Sequence, residues 1–243
     1  MTGRPAHQGV AAKISPRSKS DRVPVLEFHD FVPKRLPNTM WLDCSLPEFR
    51  QILKTIDADK LRPITLDRLY AHLNEGAKLP RGAIVLTFDD NYQGFYDYAY
   101  PLLKAKRFPF ALFVHTDYVG SRVGQPKMSW NTLKLLVKEG LATVGSHTLS
   151  HRDLPTLSDA AQRKEITQSK LVLERHLGIT VDYFAYPHGR KNALSELLLQ
   201  QAGYKMAFTG INRPAEESPN IWTVNRYAQT VYRRALRDCG YGR

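Results

Sequence analysis

The sequence predicts an α/β domain built on a mostly parallel sheet, and three observations carry that expectation. Short apolar runs such as AIVLTF (83–88) and FALFVH (110–115) alternate with segments of helical hydrophobic period. The alternation runs from residue 23 into the C-terminal tail with no linker, internal repeat or low-complexity tract. Polar, reactive residues stand just past run after run: His29, Asp89 and Asp90, His115, His147 and His151, and His188. Parallel α/β folds gather the C-terminal ends of their strands on one face, where sites are built. The element count fits an open doubly wound sheet as well as a barrel. The gathering of reactive residues on one face favours the barrel or near-barrel.

Taken in order, VPVLEF (23–28) reads as a strand. SLPEFRQILKTI (45–56) reads as a helix with a Ser45/Glu48 capping box, Pro47 in its first turn, and Phe49, Ile52, Leu53 and Ile56 on one face. TLDRLYAHLNEG (65–76) is a second helix, with Thr65 as N-cap and Gly76 as its stop. The strand 83–88 leads into an aromatic-rich helix over about 93–106 with Pro101 inside it. After the strand 110–115 come a helix with Ser129 and Gly140 at its ends, a strand LATVGSH (141–147) and a long helix from Ser158 to Gly178. YFAY (183–186) is a strand, 193–203 a helix, YKMAFT (204–209) and IWTVNRY (221–227) strands, and 228–238 a helical tail.

A chain of 243 residues with 42% apolar content builds a sizeable core as one large domain or two small ones. No apolar run approaches the roughly 18 residues that span a bilayer. Lys and Arg exceed Asp and Glu by 35 − 23 = +12. That excess suits anionic surroundings such as a cell envelope, or serves solubility, since the basic residues are scattered. No zinc-finger spacing or RRM-like aromatic motif speaks for nucleic acid. Cys44 and Cys239 make no disulfide framework and leave both pairing and compartment open. Residues 1–21 are basic, bear Pro and Ser, and lack the apolar segment of a signal peptide; a disordered arm is expected there, followed by one domain over 22–243.

GSHTLSH places His147 and His151 at i, i+4, which on one helical turn would aim both imidazoles at one metal. Alone, that spacing is more often structural. The acid pair of LTFDD is also ambiguous, since acids after a strand often cap the next helix. Together they say more. Two histidines and one carboxylate make a metal site with open positions. A divalent ion lowers the pKa of bound water towards about 7, so the second carboxylate suffices as base. Two adjacent acids then do different work.

These residues resemble the polysaccharide deacetylases of the NodB homology domain, carbohydrate esterase family four. TFDDNY is similar to the family's TFDDG motif, HTLSH to H-[ST]-x-x-H, and YFAYPHG to an aromatic followed by P-x-G. The resemblance covers nearly everything after the arm. It implies a distorted, partly open (β/α) barrel in a single domain. It also implies removal of acetyl groups from aminosugar polymers outside the cytoplasm: poly-N-acetylglucosamine, peptidoglycan or chitin-like chains. It implies one divalent metal, zinc foremost with Co, Ni or Mn as alternatives, on Asp90, His147 and His151, with Asp89 as base. The oxyanion would rest on the turn Tyr186, Pro187 and His188, through the backbone N–H at His188.

Four departures from the family pattern stand out. Asn91 occupies a position where glycine is usual, and Asn is the next most tolerant of positive φ. Ala185 replaces an arginine that orients the base in many members; Arg226 is the candidate substitute. His188 stands where tyrosine is common, which a backbone donor tolerates. The C-terminal L-x-H motif that carries the general acid is absent, but VPVLEFHDF resembles the start of a circularly permuted branch that includes poly-N-acetylglucosamine deacetylases. That resemblance makes His29 the acid. Trp41 and Tyr118, in predicted loops, lead the candidates for sugar stacking, which also include Tyr92, Trp130 and Trp222; His115 reads as structural or substrate-adjacent at the rim, and His72, His176 and His7 as structural or incidental. Two competing readings are an inactive carbohydrate-binding module on the same scaffold and a deacylase of acetyl esters or small N-acyl compounds.

Overall fold

The computed structural model describes Ile14 and residues 22–242. The expected disordered arm therefore lies outside the described residues, apart from Ile14, which is buried against the core. The main sheet is parallel. Its strands are β1 (Val25–Phe28), β5 (Ala83–Asp89), β6 (Phe110–Val114), β7 (Ala142–Ser146), β8 (Tyr183–Ala185) and β9 (Met206–Phe208), hydrogen-bonded side by side in that order. Short β4 (Arg62–Pro63) adds to the start of β5, and β10 (Tyr227–Ala228) pairs with the far side of β1. A separate ladder joins β2 (Phe31–Val32) to β3 (Cys44–Ser45). All seven residues of β5 are buried. This is the reason its sequence is an unbroken apolar run: a parallel strand covered on both faces has no polar side to show.

Residues 221–227, expected as one strand, are instead an irregular extended connection with β10 at its end. Val224 bridges Phe208 of β9, and Tyr227 pairs with Leu26 of β1. One stretch of chain thus ties the two edges of the sheet together and curls it into a distorted barrel of the expected kind. Arg226 sits between the two tie points, 1% exposed.

The helices follow their caps. α1 (Leu46–Ala58) carries the Ser45/Glu48 capping box and buries the four apolar residues of its predicted face. α2 (Leu66–Glu75) starts at Thr65 and stops at Gly76 with φ +77°. α4 (Trp130–Lys138) and α5 (Asp159–Leu177) start at Ser129 and Ser158, and α6 (Ala193–Gln201) at Asn192. α7 (Tyr232–Asp238) is the tail. The aromatic-rich segment differs from expectation. It is a π-helical turn, Phe95–Ala99, running into α3 (Tyr100–Lys106). Pro101 has no N–H to donate, so it sits in the first turn of α3, where none is required. Beneath the C-terminal ends of β1 and β5 lies a cluster of rings. Phe88 packs on Phe28 at 5.1 Å and on Phe95 at 4.5 Å, and Phe49 on Phe31 at 4.9 Å. These rings are all buried, and the site stands on them.

Candidate active site

Asp89 ends β5, and Asp90 follows with φ +68°. The positive φ turns the chain, so the two carboxylates leave the strand end in different directions. Asp89 meets Arg226, whose Nη1 and Nη2 donate to Oδ1 and Oδ2 at 2.8 Å each. Arg226 also donates from Nε to Thr209 O and from Nη1 to Thr87 Oγ1, with Phe113 and Phe208 flanking its guanidinium. Burial alone would push the Asp89 carboxyl up; Arg226, His147 and His29 overcome it and hold it below the usual carboxylate range.

Asp90 meets the histidines. Its Oδ1 is buried without a hydrogen-bond partner, and faces His151 Nε2 at 3.4 Å, His147 Nε2 at 3.5 Å and His115 Nε2 at 3.7 Å. The ligating atoms of Asp90, His147 and His151 all lie within 4.8 Å of one another. Burial opposes its ionisation, but the surrounding imidazoles, His147 and His151 first, hold the Asp90 carboxyl far down. Burial likewise pushes His151 down to about 4 and His115 to about 3, so both rings are neutral near pH 7. His147 Nδ1 lies 2.7 Å from Ala185 O. A carbonyl can only accept, so Nδ1 carries the proton and Nε2 presents its lone pair to the cluster. An orphaned carboxylate oxygen opposed by two imidazole nitrogens is a donor set that fits a divalent cation.

The two histidines do not reach this point from a helical turn, as their spacing suggested. Residues 147–151 form a loop after β7, with Thr148 at φ +69° and His151 at φ +57°. The loop is held by Glu165 of α5, whose carboxylate accepts from the N–H groups of Leu149 and Ser150. Two left-handed residues bring the rings to a 4.8 Å centroid separation, which the helical spacing was invoked to explain.

His29, just past β1, is on the other side of Asp89. Atoms of Glu27, His29 and Asp89 lie within 4.8 Å of one another, with His29 Nε2 3.6 Å from Glu27 Oε1. Glu27 also faces Arg226 Nε at 3.5 Å. Glu27 went unremarked in the sequence, although residues i and i+2 of a strand share a face and its partner two residues on had been singled out. Lys127 was missed for a better reason. It sits on a loop whose path no local pattern fixes, and its Nζ lies 3.2 Å from the Tyr92 ring centroid. Tyr92 is thus part of the rim near Asp90, with Asp90 among the groups that hold its phenol neutral after burial itself.

The turn after β8 divides the remaining candidates. His188 is exposed, has φ +57°, and places its ring 4.7 Å from His151. Tyr186 and Pro187 are buried, and Tyr186 packs on Phe184 at 5.3 Å. Tyr186 is therefore a core residue, and its side chain is not a substrate contact. Tyr118 is 44% exposed and stands edge-on to His115 at 5.0 Å, at the rim. Trp41 is 65% exposed on the loop between β2 and β3, open to solvent. Trp130 stacks on His176 at 4.1 Å, and His72 is buried with Nε2 3.2 Å from Glu216, so these are structural. Cys44 and Cys239 are both buried and free.

Comparison with known proteins shows the fold and the family of the chain. IcaB from Ammonifex degensii superposes with a TM-score of 0.77 at 26% identity, covering 90% of this chain and 98% of that one. The Streptococcus pyogenes deacetylase PplD, in complex with acetate, shares the fold with a TM-score of 0.78 at 24% identity over 85% of this chain and 92% of its own. The poly-β-1,6-N-acetyl-D-glucosamine N-deacetylase of Staphylococcus aureus is 25% identical over 192 residues, 75% of this chain and 66% of that enzyme, so the match spans just under two thirds of the relative. The family model for polysaccharide deacetylases matches residues 76–207, more than half of the chain and the stretch that carries Asp89, Asp90, His147, His151 and His188. The chain belongs to the polysaccharide deacetylase family.

Proposed function

We propose that this protein is a metal-dependent N-deacetylase of N-acetylglucosamine-containing polysaccharide, releasing acetate and leaving a free amine on the sugar. The observation that carries the reading is the division of labour around Asp89 and Asp90. One carboxylate faces a cluster of imidazoles with an oxygen left unpartnered; the other is clamped by an arginine within reach of a separate histidine.

Asp90, His147 and His151 would hold the cation, with zinc the metal that best suits two imidazoles and a carboxylate and Co, Ni or Mn as substitutes. A bound divalent cation supplies Lewis acidity and acidifies water to a pKa of about 7. Asp89 takes the proton of the water that attacks the acetyl carbon. Arg226 fixes both its oxygens, so the base is held ionised and in one orientation. His29 gives a proton to the departing nitrogen as the C–N bond breaks, because an amine leaves poorly as an anion. The backbone N–H at His188 is the candidate donor for the oxyanion. Tyr92, Tyr118 and Trp41 offer ring faces for sugar. The VPVLEFH start, the named activity of the staphylococcal relative and the likeness to IcaB favour β-1,6-linked poly-N-acetylglucosamine over chitin-like chains or peptidoglycan. Such a polymer places the work outside the cytoplasm, where the net charge of +12 suits an anionic envelope.

The test is acetate release from β-1,6- and β-1,4-linked N-acetylglucosamine oligomers, peptidoglycan fragments and an aryl acetate. Each is assayed before chelation, after it, and after zinc or cobalt is restored. The reading requires chelator-sensitive release from an aminosugar oligomer. Full activity after chelation, or activity on the ester alone, overturns it.

A further inference from the structure

His115 is the third histidine facing Asp90, and the mechanism above leaves it without a task. It is 3% exposed, at the end of β6, with Nε2 3.7 Å from Asp90 Oδ1. It is not a ligand in this geometry: the atoms of Asp90, His147 and His151 fall within 4.8 Å of one another, and His115 stands outside that group. Its other nitrogen, Nδ1, is buried with no partner. A neutral imidazole carries one N–H, and a carboxylate can only accept. The proton therefore belongs on Nε2, pointing at Asp90.

The ring is held there firmly. The N–H of His147 donates to Val114 O, that of Thr116 to Thr148 O, and that of Asp117 to Leu149 O, so the chain on both sides of His115 is tied to the metal-site loop. Tyr118 closes the solvent side. A leucine or phenylalanine would fill this volume without burying ring nitrogens, which is costly when one of them is unpaired. The histidine earns its place by what Nε2 faces.

We infer that His115 is a positioning residue for Asp90. Its Nε2–H donates to the carboxylate from outside the ligand set, fixes the orientation of that carboxylate, and so tightens the binding of a divalent cation. At 3.7 Å the contact is oriented but longer than a hydrogen bond; a shift of under about 1 Å closes it. Carboxylate and imidazole ligands are commonly held by such outer partners, whose loss weakens metal binding by about 10–100-fold. The inference rests on Asp90 being a metal ligand.

The test measures zinc dissociation constants by competition with a chromogenic chelator, on the full chain and on His115→Phe and His115→Gln. The glutamine amide nitrogen reaches about as far as the imidazole Nε2 and retains the donor. Visible absorption of the cobalt-substituted proteins reports the ligand set. His115→Phe is expected to weaken zinc by about 10–100-fold, His115→Gln to stay near wild type, and the cobalt bands of His115→Gln to keep their position. Equal affinity in His115→Phe and wild type overturns the inference while leaving the metal site standing. So does His115→Gln binding as weakly as His115→Phe, because a retained donor would then make no difference to the metal. Shifted cobalt bands in His115→Gln would make His115 a direct ligand instead. A wild-type chain that binds no zinc overturns the functional reading along with the inference.

Discussion

Arg226 and Asp89 form a fork-to-fork pair, two bonds of 2.8 Å, with each side chain 1% exposed. The residues are far apart in sequence and meet because residues 221–228 tie the two sheet edges together. A buried pair of this kind is held less by its own attraction than by what its breakage leaves behind. Removing the cation strands a buried carboxylate, at about 3–5 kcal/mol. Arg226→Met keeps much of the stem and loses the charge. It should lower unfolding free energy by that order in urea denaturation at pH 7, with a smaller loss at acidic pH, where Asp89 becomes neutral. The sign follows from the depressed carboxyl. Its stabilisation is present above the ordinary carboxylate range and lost as pH falls through the lowered value. A pH-independent loss would contradict this account. The acid limb of the rate profile should also move to higher pH in the variant, since its base binds a proton more readily.

How much of this was legible beforehand depended on distance along the chain. Capped helices such as α1 and α2, and the buried run of β5, are local patterns, and they formed where the sequence put them. The acid pair and the cluster of Asp90, His147 and His151 proposed to hold a metal were legible as short motifs at strand ends. The conformation that joins His147 to His151 was not, because a loop with left-handed Thr148 and His151, its intervening N–H groups of Leu149 and Ser150 held by Glu165 of α5, replaces the expected helical turn. Residues 221–227 read as a strand from their composition, but their backbone bonds are set by both edges of a closing sheet, which no window of sequence contains. Tyr186 looked like a site residue because it belongs to the same aromatic-P-x-G motif as His188; the tight turn between them, with His188 at φ +57°, separates the two side chains and leaves that of Tyr186 in the core.

Asp89→Asn separates base from ligand. The amide cannot take a proton from water, so kcat on an N-acetylglucosamine oligomer should fall by about 10²–10⁴-fold. Zinc content, measured by elemental analysis after dialysis, should stay at the wild-type level because Asp90, His147 and His151 are intact. His147→Ala should show the reverse order of events, losing the metal first. Wild-type turnover in Asp89→Asn would remove Asp89 from the mechanism.

Asn91 has φ +43° and is fully buried, and neither of its side-chain polar atoms has a partner. The left-handed backbone is what the position demands. Asn91→Gly meets that demand and removes two unsatisfied atoms, whereas Asn91→Ala places a Cβ where L-residues lose roughly 1–2 kcal/mol. The glycine variant should therefore be the more stable of the two by about that amount in thermal or denaturant unfolding. Equal stability would mean the turn relaxes when the side chain is lost.

His29 can be tested by choice of leaving group. An amine needs a proton as the C–N bond breaks, whereas the phenolate of an aryl acetate leaves without one. His29→Gln should lower kcat on the N-acetylated oligomer by about 10²-fold or more while changing the aryl ester rate little. Asp89, the proposed base, and the proposed metal ligands Asp90, His147 and His151 are untouched in this variant, so under the proposed mechanism both substrates still meet the same attacking water. Glu27 provides a second arm. It lies 3.6 Å from His29 Nε2 and 3.5 Å from Arg226 Nε, so it can hold the acid in place without meeting the substrate. Glu27→Gln should reproduce the amide-selective loss in milder form, because the carboxylate that positions His29 is then replaced by a neutral amide. If His29→Gln slowed the ester as much as the amide, His29 would be acting on attack or binding, and the proton for the departing amine would have to come from another group.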